Sequence, residues 1–149
     1  MLVQRYDLIV GSIDAQLQHA TNPVERVKTI FDWYEAWFNT PAFAGCLFER
    51  ALAEFGTAYA PISDVAIRYR RKMVEWIGEL LADLVSPGTA KRLAAVYMML
   101  LDGATVEARA FNDSASAGRA WQAAKSLLEQ EMRAGAEHAK HADAHTQHA

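Results

Sequence analysis

SPGTAKRLAAVYMMLLDGATVEARAFNDSASAGRAWQAAKSLLEQEM, residues 86–132, decides the fold. Ser86-Pro87-Gly88 is a break, with Ser86 or Thr89 placed to cap the helix beyond it. From about Ala90 to Phe111, Leu93, Val96, Tyr97, Leu100, Leu101 and Ala104 recur at helical spacing. Met98 and Met99 fill the gaps, so this helix is apolar nearly all round. Asn112-Asp113-Ser114 forms a loop and cap. A last helix, from about Ala115 to Met132, then buries Trp121, Ala124, Leu127 and Leu128. Much of its remaining surface is small: Ala117, Gly118, Ala120 and Ala123. A helix apolar on nearly every side offers more surface than one small domain covers, and a small-residue face permits close approach. Helices 90–111 and 115–132 are therefore expected to pair with their copies in a second chain, as a four-helix interface with two-fold symmetry.

Toward the N-terminus from this pair, the same period continues. Leu2, Tyr6, Ile9, Ile13 and Leu17 form one stripe, widened by Val3 and Val10. Asn22-Pro23-Val24-Glu25 is a helix start: Asn22 caps, Pro23 suits the first helical position, and Glu25 can reach back. The helix it opens runs to about Asn39 and carries Val24, Val27, Ile30, Phe31, Tyr34, Trp37 and Phe38, with Trp33 widening the arc. Pro41 breaks the pattern, and Phe43 to Phe55 reads as a shorter helix. Pro61-Ile62-Ser63-Asp64 opens a long one to about Val85, with Ile62, Val65, Tyr69, Met73, Trp76, Leu80 and Leu84 on its stripe. No period-two, β-branched run appears, so no sheet is expected. The count is about six helices in one domain, residues 1–133; from 134 to 149 the Ala-, His- and charge-rich chain has no apolar stripe and is expected to be a frayed or flexible tail.

Composition narrows the function. In 149 residues, 52% are hydrophobic and 22% charged, enough apolar material for a core. The net charge of -3 argues against a self-standing nucleic-acid binder, which usually shows a basic face. The one basic cluster, Arg68, Arg70, Arg71 and Lys72, falls within a helical pattern beside Glu75 and reads as a solvated face. The single cysteine, Cys46, rules out an internal disulfide and suits a reducing cytoplasm. Arg5 and Asp7 interrupt the first apolar stretch, so no signal peptide is expected, and no apolar run nears the roughly 20 residues of a membrane span.

Catalytic signals are missing. Cys46 has no histidine close by in sequence to serve as its base, and reads as a buried, inert thiol. The carboxylate pairs Glu49/Glu54, Glu75/Glu79 and Glu129/Glu131 lack the Glu-x-x-His partner of di-iron bundles. His138, His141, His145 and His148 would line one side of a helix, but with nothing to orient their rings. No Gly-rich phosphate loop, Gly-x-Ser-x-Gly or His-Glu-x-x-His is present. No cofactor or metal is implied, and no enzymatic role has residues behind it. The aromatic residues are more informative. Trp33, Trp37, Phe48, Met73, Trp76 and Tyr97 fall on the inner faces of adjacent helices, and are expected to bound a cavity between them. Trp and Tyr suit such walls, because each can keep a hydrogen-bonding edge free.

Four ordered segments carry a resemblance: Phe43-Ala44-Gly45-Cys46-Leu47-Phe48 with Ala51 and Glu54-Phe55; Pro61-Ile62 with Val65-Ala66 and the basic run; Leu100-Leu101-Asp102-Gly103-Ala104; and Lys125-Ser126-Leu127-Leu128. In order and spacing they resemble the C-terminal region of TetR-family transcriptional regulators, over most of residues 24–128. The resemblance implies an all-α bundle that dimerises and binds a small lipophilic effector, which in the family releases a paired DNA-reading headpiece from its operator. The helix-turn-helix headpiece is expected to be absent, since the first helix matches the connector that normally comes after it. A gene start placed too late, a trimmed chain or a naturally headless form would each leave it so. The chain by itself is then expected not to bind duplex DNA specifically. Two other functions remain open: a headless dimeric protein modulating full-length homologues, and a small helical-bundle enzyme or metal protein.

Overall fold

The computed structural model describes residues 2–41, 43–45, 53–54 and 60–147, and these hold five helices and no strand. They are α1 (Leu2–Leu17), α2 (Pro23–Phe38), α3 (Ala60–Leu81), α4 (Pro87–Phe111) and α5 (Ser116–Gln147). The expected helix from Phe43 to Phe55 falls mostly outside the described residues.

Local chemistry sets the boundaries. Asn22 sits in extended backbone before α2 and its Oδ1 accepts the Glu25 N–H at 2.9 Å, with Pro23 in the first turn where its missing N–H costs nothing. Ser86 caps α4 through the Thr89 N–H, again with proline next in the chain. Asn112 ends α4 in the left-handed region, φ 51°, a conformation that asparagine tolerates better than most residues. Asp113 then starts α5: its Oδ1 accepts the Ala115 N–H at 3.1 Å and its Oδ2 takes a hydrogen bond from Arg119 at 2.6 Å. Arg119 holds the Asp113 carboxyl below the usual carboxylate range. A depressed carboxyl stabilises the fold above its ordinary titration range, and that contribution fades as pH falls through the lowered value.

The core forms where the stripes meet. Ile9, Ile13 and Leu17 of α1, Val27, Ile30, Phe31, Tyr34 and Phe38 of α2, and Met73, Ile77 and Leu81 of α3 are all buried. Leu93, Ala94, Tyr97, Met98 and Leu101 join them from α4, and Ala117, Trp121, Ala124 and Leu128 from α5. α2 packs against all four other helices, α4 packs on α2, α3 and α5, and α1 closes the far side against α2 and α3. Among the described residues, no buried side-chain nitrogen or oxygen lacks a hydrogen bond. The buried Thr105 and Ser116 hydroxyls fold back on main chain: Thr105 Oγ1 donates to Leu101 O at 2.7 Å, and Ser116 Oγ to Ala104 O at 2.8 Å, which ties the start of α5 to α4.

Two elements are longer than the sequence reading gives. α4 begins at Pro87, because Ser86 is the cap. α5 continues past Met132 to Gln147, so the segment expected as a frayed tail is helical. Residues 133–146 are exposed throughout, so no packing holds them. Their helicity comes from composition: Ala134, Ala136, Ala139, Ala142 and Ala144 are the best helix formers available.

Candidate functional site

α2 carries the aromatic residues on two opposite flanks. Residues two apart on a helix project about 200° from each other, so Phe31 and Trp33 face different neighbours. On one flank Phe31 meets Tyr97 edge-on at 5.7 Å and Trp121 at 5.4 Å. On the other, Trp33 and Trp37 stack at 5.8 Å, and Phe43 closes edge-on against Trp37 at 4.9 Å. Phe43 also touches Phe38, at 5.1 Å, so the chain after α2 folds back onto the helix it has just left. Trp33 Nε1–H donates to Ser12 Oγ at 2.9 Å, which fixes the indole against α1.

The expected cavity residues that lie among the described ones are therefore divided. Trp33 and Trp37 lie together as a partly exposed aromatic ledge. Met73 is buried on α3, and Trp76 lies partly buried on the same helix. Tyr97 is 0% exposed: its ring is in the core beside Phe31, and its hydroxyl donates to Ala124 O at 2.6 Å. Burial pushes its phenol well above the usual tyrosine range, so it stays protonated and keeps donating. Phe48 and Cys46 fall outside the described residues.

Gly45 sets the path of the chain beyond the ledge. Its φ is +90°, and a Cβ placed there would come within 3.1 Å of Arg109 Cδ on α4. Gly45→Ala is expected to cost at least about 1 kcal/mol, since alanine is strained at positive φ. Chemical denaturation checks this, and an unchanged midpoint would count against a required left-handed turn.

The basic run does not face solvent as a unit. Arg70 turns inward and forks onto Asp102 of α4: Nη1 donates to Oδ1 at 3.2 Å, and Nη2 donates to Oδ2. Both side chains are partly buried, which favours the two-pronged geometry that arginine and carboxylate share. Lys72 lies over the Tyr69 ring at 4.9 Å, while Arg68 and Arg71 are exposed. Helical period alone could not reveal this pairing, because 32 residues separate the partners.

Two open hollows lie on the surface of the described residues. One lies at the α1–α2 turn; its walls include Gln16, His19, Asn22, Glu25 and Asp32, and its volume is about 470 Å³. The sequence gives it no signal beyond the turn itself. The other, about 380 Å³, is a groove between α4 and α5 walled by Met99, Leu100, Gly103, Ala120 and Ala123 among others. It adjoins an exposed stripe on α4, where Ala95, Met99, Gly103, Val106 and Ala110 recur every three or four residues. Met99 is 62% exposed, Val106 54% and Phe111, at the helix end, 71%.

A TetR-family transcriptional regulator from Streptomyces coelicolor has a closely similar crystal structure, with a TM-score of 0.79 over 88% of this chain and 69% of that one, at 21% sequence identity. The chain has a TetR-like helical fold. No family model matches the sequence, and no curated protein matches it. The likeness thus lies in the arrangement of helices. No described helix is long and apolar enough to cross a membrane.

Proposed function

We propose that this chain is the ligand-sensing and dimerisation domain of a TetR-like transcriptional regulator, binding a small lipophilic effector. The observation that carries the regulatory reading is the fold it shares, across most of its length, with a TetR-family regulator. The aromatic ledge supports the effector. Trp33 and Trp37 offer stacked, partly exposed rings of the kind that line apolar ligand sites. In this reading Met73, Trp76 and Phe48 contribute further wall, while Tyr97, on the other flank of α2, stays a core residue behind that helix. An effector pressing on α2 or α3 would bear on α4 through Phe31 against Tyr97 and through Arg70 on Asp102.

Titration with the apolar fluorophore N-phenyl-1-naphthylamine, tracked by tryptophan quenching, tests the site. Saturable binding is expected, and Trp37→Ala should weaken it about tenfold, equivalent to about 1.4 kcal/mol. Affinity unchanged in both Trp33→Ala and Trp37→Ala would place the fluorophore elsewhere and defeat the assignment.

A further inference from the structure

The end of α5 is built unlike the rest of the molecule. Residues 133–146 are all exposed, so this part of the helix receives no support from the core. A short helix in water is marginal even when rich in alanine. Its histidines are not scattered: His138, His141 and His145 are spaced three and four apart, so all three fall on one side of α5.

His141 and His145 stand one turn apart, where Cβ atoms on a helix are about 5–6 Å from each other. Two imidazoles at that separation can close on a single ion, each nitrogen about 2.0–2.1 Å from it. Imidazole suits zinc, nickel and copper, whereas magnesium and calcium prefer oxygen donors. Among the described residues, no group of three or more His, Cys, Asp or Glu is arranged to hold a metal. The arrangement is accordingly a two-imidazole clamp with its other positions left to water.

We propose that His141 and His145 bind one borderline divalent transition ion, of the zinc or nickel type, across a single turn of α5. The ion acts as a staple: it bonds side chains that lie together only when this turn is helical, and so favours the helix over the unfolded segment. This inference is independent of the effector site, which lies on other helices.

The test is titration of the whole chain with Zn²⁺ alone, by calorimetry and by ellipticity at the helical band. About one ion per chain is expected with micromolar affinity, with helicity rising as it binds and falling again with chelator, and no response to Mg²⁺. The double variant His141→Ala/His145→Ala should lose affinity by more than the roughly tenfold that disturbing even an outer-shell partner costs. These side chains are exposed and pack against nothing in the core, so the domain folds without them. His138→Ala and His19→Ala should both keep the wild-type response. Absence of zinc binding at submillimolar concentration, wild-type binding by the double variant, or loss of binding in His138→Ala alone would each overturn the proposal.

Discussion

Tyr97→Ala is expected to lower the stability of the fold by about 4 kcal/mol, within the range for deleting a large buried aromatic ring. Tyr97 is 0% exposed and stands where three helices meet: on α4, edge-on to Phe31 of α2, with its hydroxyl on the Ala124 carbonyl of α5. Removing the ring opens a cavity that Phe31 and Trp121 cannot readily fill, because each is already packed against the other. Tyr97→Phe separates the two contributions. It keeps the ring and removes only the bond to Ala124 O, for a loss of about 1 kcal/mol. Denaturant unfolding of both variants measures the difference. If Tyr97→Ala cost no more than Tyr97→Phe, the ring would not be the keystone of the α2–α4–α5 junction.

Much of this junction is legible in the sequence, and the reason is physical. Helical period is local, so the stripe from Leu93 to Ala104 announces both a helix and its buried face before any partner is known. Caps are equally local: Asn22 and Ser86 bond within three residues of themselves. What period cannot supply is which flank of α2 meets which helix. In sequence, Trp33 and Tyr97 look like walls of one cavity because both are large, partly polar and on apolar arcs. The structure puts Trp33 against Ser12 of α1 and Tyr97 against α5. Nor can local pattern show that Arg70 leaves the basic run to pair with Asp102. That pair joins two of the segments on which the family resemblance rests, the basic run of α3 and Leu-Leu-Asp-Gly-Ala of α4. The end of α5 departs from expectation for a different reason: absence of an apolar stripe signals absence of packing, which is correct, but alanine-rich chain can be helical without it.

The largest functional effect is expected on assembly. α4 presents Ala95, Met99, Gly103, Val106 and Ala110 to solvent as one continuous stripe, with Met99 and Val106 each more than half exposed. Among the described residues, and apart from its own turn of α4, nothing lies within 4 Å of a Cβ built on Gly103, so another helix could approach there with little between the backbones. The groove shared with α5 lies alongside, floored by Ala120 and Ala123. Charged groups stand among its walls: Glu107 and Arg119. An apolar centre within a polar rim is how protein interfaces are built. A second copy suits this face because a two-fold axis would lay the stripe against itself. Wild-type chain is therefore expected to sediment as a dimer at micromolar concentration. Met99→Glu with Val106→Glu should shift it to monomer, weakening association by at least about 100-fold, or about 2.8 kcal/mol. Symmetry doubles the effect, since each substitution would bury two unpaired carboxylates. Both side chains are exposed in the single chain, so circular dichroism should show the helical content unchanged. A monomeric wild type, or a doubly substituted chain that still dimerises as tightly, would mean that α4 meets something other than its own copy.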